Sequence, residues 1–325
     1  MGNLRIGETV RKLRVQLAIT QEDLCDGICA VPTLSRIENG QRLPSKAVFD
    51  SLMQRMGRTG DMYDALISDH DLAIHEVRYA LRKAILAHDM ARAPGLLEEY
   101  NRLIENDREK LYRRTSLYSG AIIGSETGMP MEIVLATLED AIRISLPKYG
   151  TKKVSEFYLD SDEIVILNNI GIVYWELHRR EEALGLFAEL EEYVSCRHVD
   201  PHEMERFYPL ILSSYSKCLG QSERYLDCIR ICDKGIAYCK HIDCTRLMGR
   251  FYYNRGLSLL YRAKPEEREE ARNNIIYAYL LAMSIGNEGM MKHYAHSAKA
   301  NLGLDLAELF PFYRSLSQSP SSKQS

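Results

Sequence analysis

Asn169 and Asn254 each stand two residues before a glycine, Gly171 and Gly256, so they hold equivalent places in two similar stretches. A carboxamide both donates and accepts, and can therefore hold an extended peptide backbone whatever side chains that peptide carries. Arg250 lies close by and is suited to a carboxylate. The same asparagines serve equally well as caps or bridges between helices, and residue type alone does not choose. Eight cysteines are present, at 25, 29, 196, 218, 228, 232, 239 and 244. Cys228 and Cys232 are four apart and share a helical face, but no Cys-x-x-Cys occurs and His241 is the nearest histidine. The expectation is small buried thiols, with no metal and no cofactor. No Gly-rich phosphate loop, His-Glu-x-x-His or Gly-x-Ser-x-Gly stretch appears, so no catalytic residue is assigned and the chain is expected not to be an enzyme.

The chain has 325 residues, 46 % hydrophobic and 27 % charged, with a net charge of −3. Residues 1–60 carry nine Lys/Arg against six Asp/Glu, a balance of +3, which leaves −6 for the rest. A basic head on an acidic body points to an anionic partner for the head alone. No apolar run approaches the roughly 20 residues of a membrane helix, and Met1–Val10 lacks an apolar export core, so a cytoplasmic protein with no membrane partner is expected.

Local patterns define how the head is built. Ile6, Val10, Leu13 and Leu17 form one apolar stripe of a first helix. Thr20 caps a short second helix that runs into Gly27. A third helix starts at Val31-Pro32, turns Leu34 and Ile37 inward and stops at Asn39-Gly40. Ser45 then caps a fourth, with Val48, Leu52 and Met56 inward. The runs Thr20-Gln21-Glu22-Asp23-Leu24 and Leu34-Ser35-Arg36-Ile37-Glu38-Asn39-Gly40, followed by Pro44-Ser45, resemble the Cro and phage-repressor (XRE) type of helix-turn-helix domain over about residues 4–60. That resemblance implies double-stranded DNA as partner. It places Val31, Pro32 and Arg36 toward bases, with Thr33 and Ser35 beside them, and Gln21, Asn39 and Arg42 at phosphate-contact positions. Val31 and Pro32 can offer only apolar contact, as to a thymine methyl, which leaves Arg36 for a bidentate guanine contact or for phosphate. The turn is one residue shorter than in phage repressors, and Ala30 stands where a capping Ser is usual.

Beyond about residue 70 helical stretches alternate with short polar breaks. Gly171, Tyr174, Ala183 and Phe187 carry the spacing of a tetratricopeptide (TPR) hairpin, and Tyr253-Asn254-Arg255-Gly256 with Leu259 and Ala271 repeats it. In such hairpins Gly and Ala are small because paired helices press together there. A looser unit with an enlarged loop spans Tyr208–Cys239, and two weaker hairpins cover about 72–105 and 108–146. The expected architecture is all-α: a helix-turn-helix domain at 1–66, a right-handed TPR-like superhelix of about five hairpins and a capping helix at 70–310, and a disordered tail at 311–325. The first helix of each hairpin lines the inner face, and Asn169 and Asn254 match where peptide-clamping TPRs carry asparagine. Asn168, Ile172, Arg250, Tyr253 and Leu257 fall on that face, with Arg206 and Ser213 at comparable places in the looser unit.

The union of these two parts resembles the RNPP family of Gram-positive regulators (the Rgg, NprR, PlcR and PrgX types). Gly27-Ile28-Cys29 with Leu34 to Gly40, and Ile231-Cys232-Asp233-Lys234-Gly235-Ile236, carry that likeness. It implies a cytoplasmic homodimer that binds a short signalling peptide and reads two DNA half-sites about one turn apart. Two alternatives stand beside it: a peptide-independent regulator that uses its repeats for protein–protein interaction, and a modulator of a response regulator.

Overall fold

A computed structural model describes residues 2–58, 69–107, 109–196 and 201–310. Among these the chain is helical, with no strand. It divides between Tyr208 and Pro209 into two compact units. Residues 67–69 between the two expected domains, and the expected tail at 311–325, fall largely or wholly outside the described residues.

The first unit opens with α1 (Gly2–Gln16), α2 (Gln21–Cys25), α3 (Val31–Glu38) and α4 (Lys46–Arg55). Thr20 accepts the Asp23 amide at 3.0 Å and Ser45 accepts that of Val48 at 3.3 Å, so both expected caps form. Ala30 starts α3 without a side-chain cap. Val10, Leu24, Leu34, Ile37, Phe49 and Leu52 close one core. Leu17 does not complete the α1 stripe: Ala18 turns left-handed at φ 53°, Leu17 stays 36 % exposed, and Ile19 is buried instead.

Helical hairpins follow in the same unit: α5 (Asp69–Leu86) with α6 (Ala93–Ile104), α7 (Lys110–Glu126) with α8 (Met131–Ser145), and α9 (Ser161–Glu176) with α10 (Arg180–Cys196). Gly171 meets Phe187 where α9 and α10 pack, and a Cβ there would lie 2.8 Å from the ring. The spacing predicts a close approach at Gly171, and the group that meets it is the Phe187 ring of the same hairpin, not a ring held between successive hairpins. α11 (Pro201–Gln221) begins in the first unit and contains Pro209, which has no N–H to give its helix.

The second unit continues α11 and adds α12 (Tyr225–His241), α13 (Thr245–Tyr261), α14 (Arg268–Ser284), α15 (Glu288–Leu302) and α16 (Leu306–Leu309). Gly235 lies against Phe251, and Gly256 against Ile275 and the Ala271 carbonyl, so α12, α13 and α14 approach closely. The enlarged loop expected between α11 and α12 is absent. Three residues, 222–224, join them, as three join α9 to α10. The extra chain length is instead helix, since α11 has 21 residues against 16 in α9. The connection between α13 and α14 is longer, residues 262–267, and is partly wound into a 3₁₀ turn, Pro265–Glu267.

One left-handed residue marks every turn within a hairpin: His88, Gly128, His178, Glu223 and Ala263. The following amide reaches back over the helix end, as in Arg179 to the Tyr174 carbonyl at 2.9 Å and Arg224 to that of Leu219 at 3.0 Å. This is the six-to-one closure that satisfies carbonyls left free at a helix end.

Candidate nucleic-acid and peptide-binding faces

α3 has one face clamped and one face free. Inward, Leu34 and Ile37 are buried, and Gly7 of α1 presses so close that a Cβ would stand 2.0 Å from the Ile37 carbonyl oxygen. At its last turn Glu38 is buried and takes both prongs of Arg14, Nε to Oε1 at 2.6 Å and Nη2 to Oε2 at 3.0 Å. Gln21 donates to the same Oε2 at 2.7 Å. That hydrogen-bonded pair raises the Arg14 guanidinium above its ordinary pKa. Gln21 thus braces the third helix from the second. The sequence motif does not point to Arg14, although a cation four residues past Val10 on an apolar stripe is a legible signal.

Outward, Pro32, Arg36, Asn39 and Arg42 are exposed, and among the described residues neither the Arg36 nor the Arg42 guanidinium donates a hydrogen bond or forms an ion pair. Asn39 is held by its own amide on the Ser35 carbonyl at 3.1 Å. Gly40 turns left-handed at φ 70°, and the Gln41 amide returns to the Arg36 carbonyl at 2.8 Å, which fixes where Arg42 emerges. Ser35, Asn39 and Gln21 share a cleft of about 450 Å³ with Arg11 and Arg14. Val31 packs partly into the head core, and Thr33 lines a second cleft of about 240 Å³ with Arg42 and Glu109. The expected DNA residues therefore lie on or around one short helix, with Val31 the least available.

The head is joined to the hairpins by buried charge. Arg55, at the end of α4, donates to the Leu24 and Asp26 carbonyls at 3.2 and 2.7 Å, to the Ser145 carbonyl at 3.1 Å and to Glu163 at 2.7 Å. Arg114 of α7 reaches Ser145 Oγ and Asp160, each at 2.8 Å, and Asp162 at 3.2 Å. Ser51 donates to Asp160. Asp160 and Glu163 form a reciprocal cap at the start of α9, with amide bonds of 2.6 and 2.9 Å. Gly27, at φ 72°, comes so near the end of α8 that a Cβ would meet the Ser145 carbonyl oxygen at 1.9 Å. No motif points to this joint, though Arg55 three residues past buried Leu52 breaks an apolar stripe as Arg14 does.

Burial alone would push Asp162 up, but Arg78, Arg114 and Arg82 outweigh it and hold it well below the usual carboxylate range. Glu163 goes the other way: burial raises it despite Arg55.

In the first unit, side chains of α5, α7 and α9 meet one another. Arg78 bonds Asp162 at 2.6 Å. Tyr118 interacts with the Asn169 carboxamide, and burial pushes its phenol up to about 12. Asn169 is half-buried and donates to the Val165 carbonyl one turn back at 2.8 Å. Ile172, one turn on, is half-buried, and Arg206 is exposed. Asn168 departs from the expectation: it is 1 % exposed, because it falls on the side of α9 turned into the packing.

In the second unit, Asn254 donates to Ser216 Oγ at 3.0 Å and so bridges α13 to α11. Ser213 is buried, not on an open face, and its carbonyl accepts the Ser216 hydroxyl at 3.0 Å. Tyr253 packs against Tyr294, tilted, with ring centroids 4.6 Å apart, and Leu257 packs with the same apolar cluster. Arg250 is exposed and forms no ion pair among the described residues. Of the second-unit candidates, Arg250 has the most open donors.

Among the described residues no helix is long and apolar enough to cross a membrane, and no group of three or more His, Cys, Asp or Glu is placed to hold a metal. Residues 5–66 match the family described as "Helix-turn-helix domain". No curated protein sequence matches the chain. Among solved structures, PlcR of Bacillus thuringiensis in complex with the peptide PapR7 and DNA is similar at 17 % identity and a TM-score of 0.59, over 90 % of this chain and 99 % of that one. The apo form of the competence regulator ComR from Streptococcus vestibularis is similar at 15 % identity and a TM-score of 0.52, over 92 % and 99 %. A helix-turn-helix domain followed by TPR-like helical hairpins is the fold that this chain shares with these two structures.

Proposed function

We propose that the chain is a cytoplasmic DNA-binding transcriptional regulator of the RNPP type that acts as a homodimer, and that a short signalling peptide held on its inner helical face controls DNA binding. The observation that carries the first half is α3. Its inner side is locked by Leu34, Ile37 and the Arg14–Glu38–Gln21 clamp, while Arg36 and Arg42 stand outward with guanidinium donors unused among the described residues. A rigid helix with uncommitted cations at its surface is what groove reading needs. The likeness to PlcR, solved with a peptide and DNA, supports the second half. Peptide control is then a linkage: a ligand moves the population of head arrangements by its differential affinity and by no more.

The test is a mobility-shift titration on DNA from upstream of the protein's own gene, with and without synthetic peptides encoded beside it. Arg36→Ala is expected to weaken specific binding by about 10- to 100-fold, the range of one bidentate base contact. It should leave non-specific binding nearly unchanged. Equal loss on all sequences would reduce Arg36 to a phosphate contact. A cognate peptide is expected to shift the curve of the unmodified protein. Asn169 and Asn254 already spend donors inside the fold, which favours a second reading: a peptide-independent regulator whose repeats recruit another protein. Identical titrations with every peptide would select that reading.

A further inference from the structure

Where α5, α7 and α9 meet in the first unit, Arg82 differs from the arginines around it. Arg78, Arg114 and Arg55 each bond a carboxylate at 2.6–2.8 Å. Arg82, one turn beyond Arg78 on α5, is half-buried, yet among the described residues it donates no hydrogen bond and pairs with no carboxylate. Its electrostatic neighbours are Asp162, Arg78, Tyr118 and Glu203, which come from α5, α7, α9 and α11. Asp162 is already shared by Arg78 and Arg114. Glu203 pairs with Arg206 at 3.9 Å. Four arginines (55, 78, 82 and 114) thus face three spoken-for carboxylates (Asp160, Asp162 and Glu163), and the unmatched charge is on Arg82. Burial costs that guanidinium, and the cost is visible as a pKa pushed down. A cation that has lost water without gaining a hydrogen-bonded carboxylate is poised for an incoming anion.

We propose that Arg82 is a carboxylate-binding residue of the inner face, and that it anchors a peptide beside the Tyr118–Asn169 pair through either its C-terminal carboxylate or an acidic side chain. This rests on the peptide reading above. A singly charged carboxylate fits better than a phosphate dianion, because only one positive charge is unmatched and Asp162 and Glu203 stand near it. A planar guanidinium takes a carboxylate with two parallel N–H donors, which also fixes the direction in which the peptide lies. Asn169, which interacts with Tyr118, stands on α9 two turns beyond Asp162 and would meet the backbone that follows.

The experiment uses the full chain and four random-sequence synthetic peptide pools: free C-terminus with Asp and Glu included, free C-terminus without them, C-terminal amide with them, and C-terminal amide without them. Peptides retained by the protein on gel filtration are quantified by mass spectrometry. The expected result is retention of the fully neutral pool about tenfold below the best carboxylate-bearing pool. Comparison of the two intermediate pools tells a terminal from a side-chain carboxylate. Arg82→Gln is expected to erase the preference while neutral peptides bind as before. Arg82→Lys should restore part of it. Unchanged helicity by circular dichroism keeps both variants interpretable, and the Arg82→Lys comparison carries the test should the glutamine variant unfold. An unaltered preference in Arg82→Gln overturns the assignment of Arg82 and leaves peptide binding standing. Failure of every pool to bind the unmodified protein overturns peptide binding and this proposal together.

Discussion

At the scale of single residues, positions that bear charge on an apolar stripe organise the molecule. Arg14 and Arg55 interrupt helical faces that are otherwise apolar, and each ties neighbouring segments together through a buried carboxylate. A buried cation without a partner would cost several kcal/mol, so the pairing is what permits the burial. Gly171 acts by size. A methyl group there would have to share space with the Phe187 ring at 2.8 Å, and the ring is fully buried with little room to retreat. Gly171→Ala is expected to destabilise the first unit by about 1–3 kcal/mol, the usual range for an overpacked core contact. A urea titration followed by Trp175 fluorescence measures it. A change within error would mean that α9 and α10 separate at little cost. The close approach at Gly171 was legible, because a glycine and an alanine at that spacing mark where two paired helices touch; that the Phe187 ring fills it was not legible, since the repeat pattern puts that aromatic between successive hairpins. The burial of Asn168 was not, because adjacent residues on a helix differ by about 100° and the motif fixes the face only to about one residue.

At the scale of elements, helix-turn-helix and hairpins were legible from periodicity and caps, since those depend on near neighbours in the chain. The joint between α4, α7, α8 and α9 was not, since its partners are about 30 to 110 residues apart. That joint has a pH signature. Asp162 is held below its ordinary range, so its contribution to stability is present above an unfolded value of about 3.9 and is lost as pH falls through the lower folded value. Glu163 is raised, so its contribution has the opposite sign: it is present at low pH and fades as pH rises through its folded value. The two partly offset each other, and removal of Asp162 leaves only the second. Asp162→Asn is therefore expected to lower stability at neutral pH and to flatten the loss of stability between about pH 4 and pH 2. Urea midpoints measured across that range decide it. An unchanged acid slope would show that other carboxylates dominate there.

At the scale of the whole molecule, the head shares one compact unit with the hairpins up to Tyr208. Composition and motif change at the end of the head, which is where the sequence suggests a boundary, whereas the buried ions cross it. Gly27 is the sharpest point of contact, with a left-handed backbone and a neighbouring carbonyl where its Cβ would be. Gly27→Ala combines backbone strain with a steric clash. It is expected to shift the unfolding transition seen by Trp175, which sits far along the chain on α9. Helix loss by circular dichroism should move with it. A Trp175 transition that stays in place while part of the helical signal melts early would mean that the head unfolds alone.

Four of the five hairpin turns set a side chain where glycine is the easiest occupant: His88, His178, Glu223 and Ala263. An L-residue held in that conformation costs about 1 kcal/mol or more. The array therefore carries a distributed tension at its bends, one increment at each of these four turns. Its robustness resides in the faces between helices, and the bends are where substitution has room to improve on what is there.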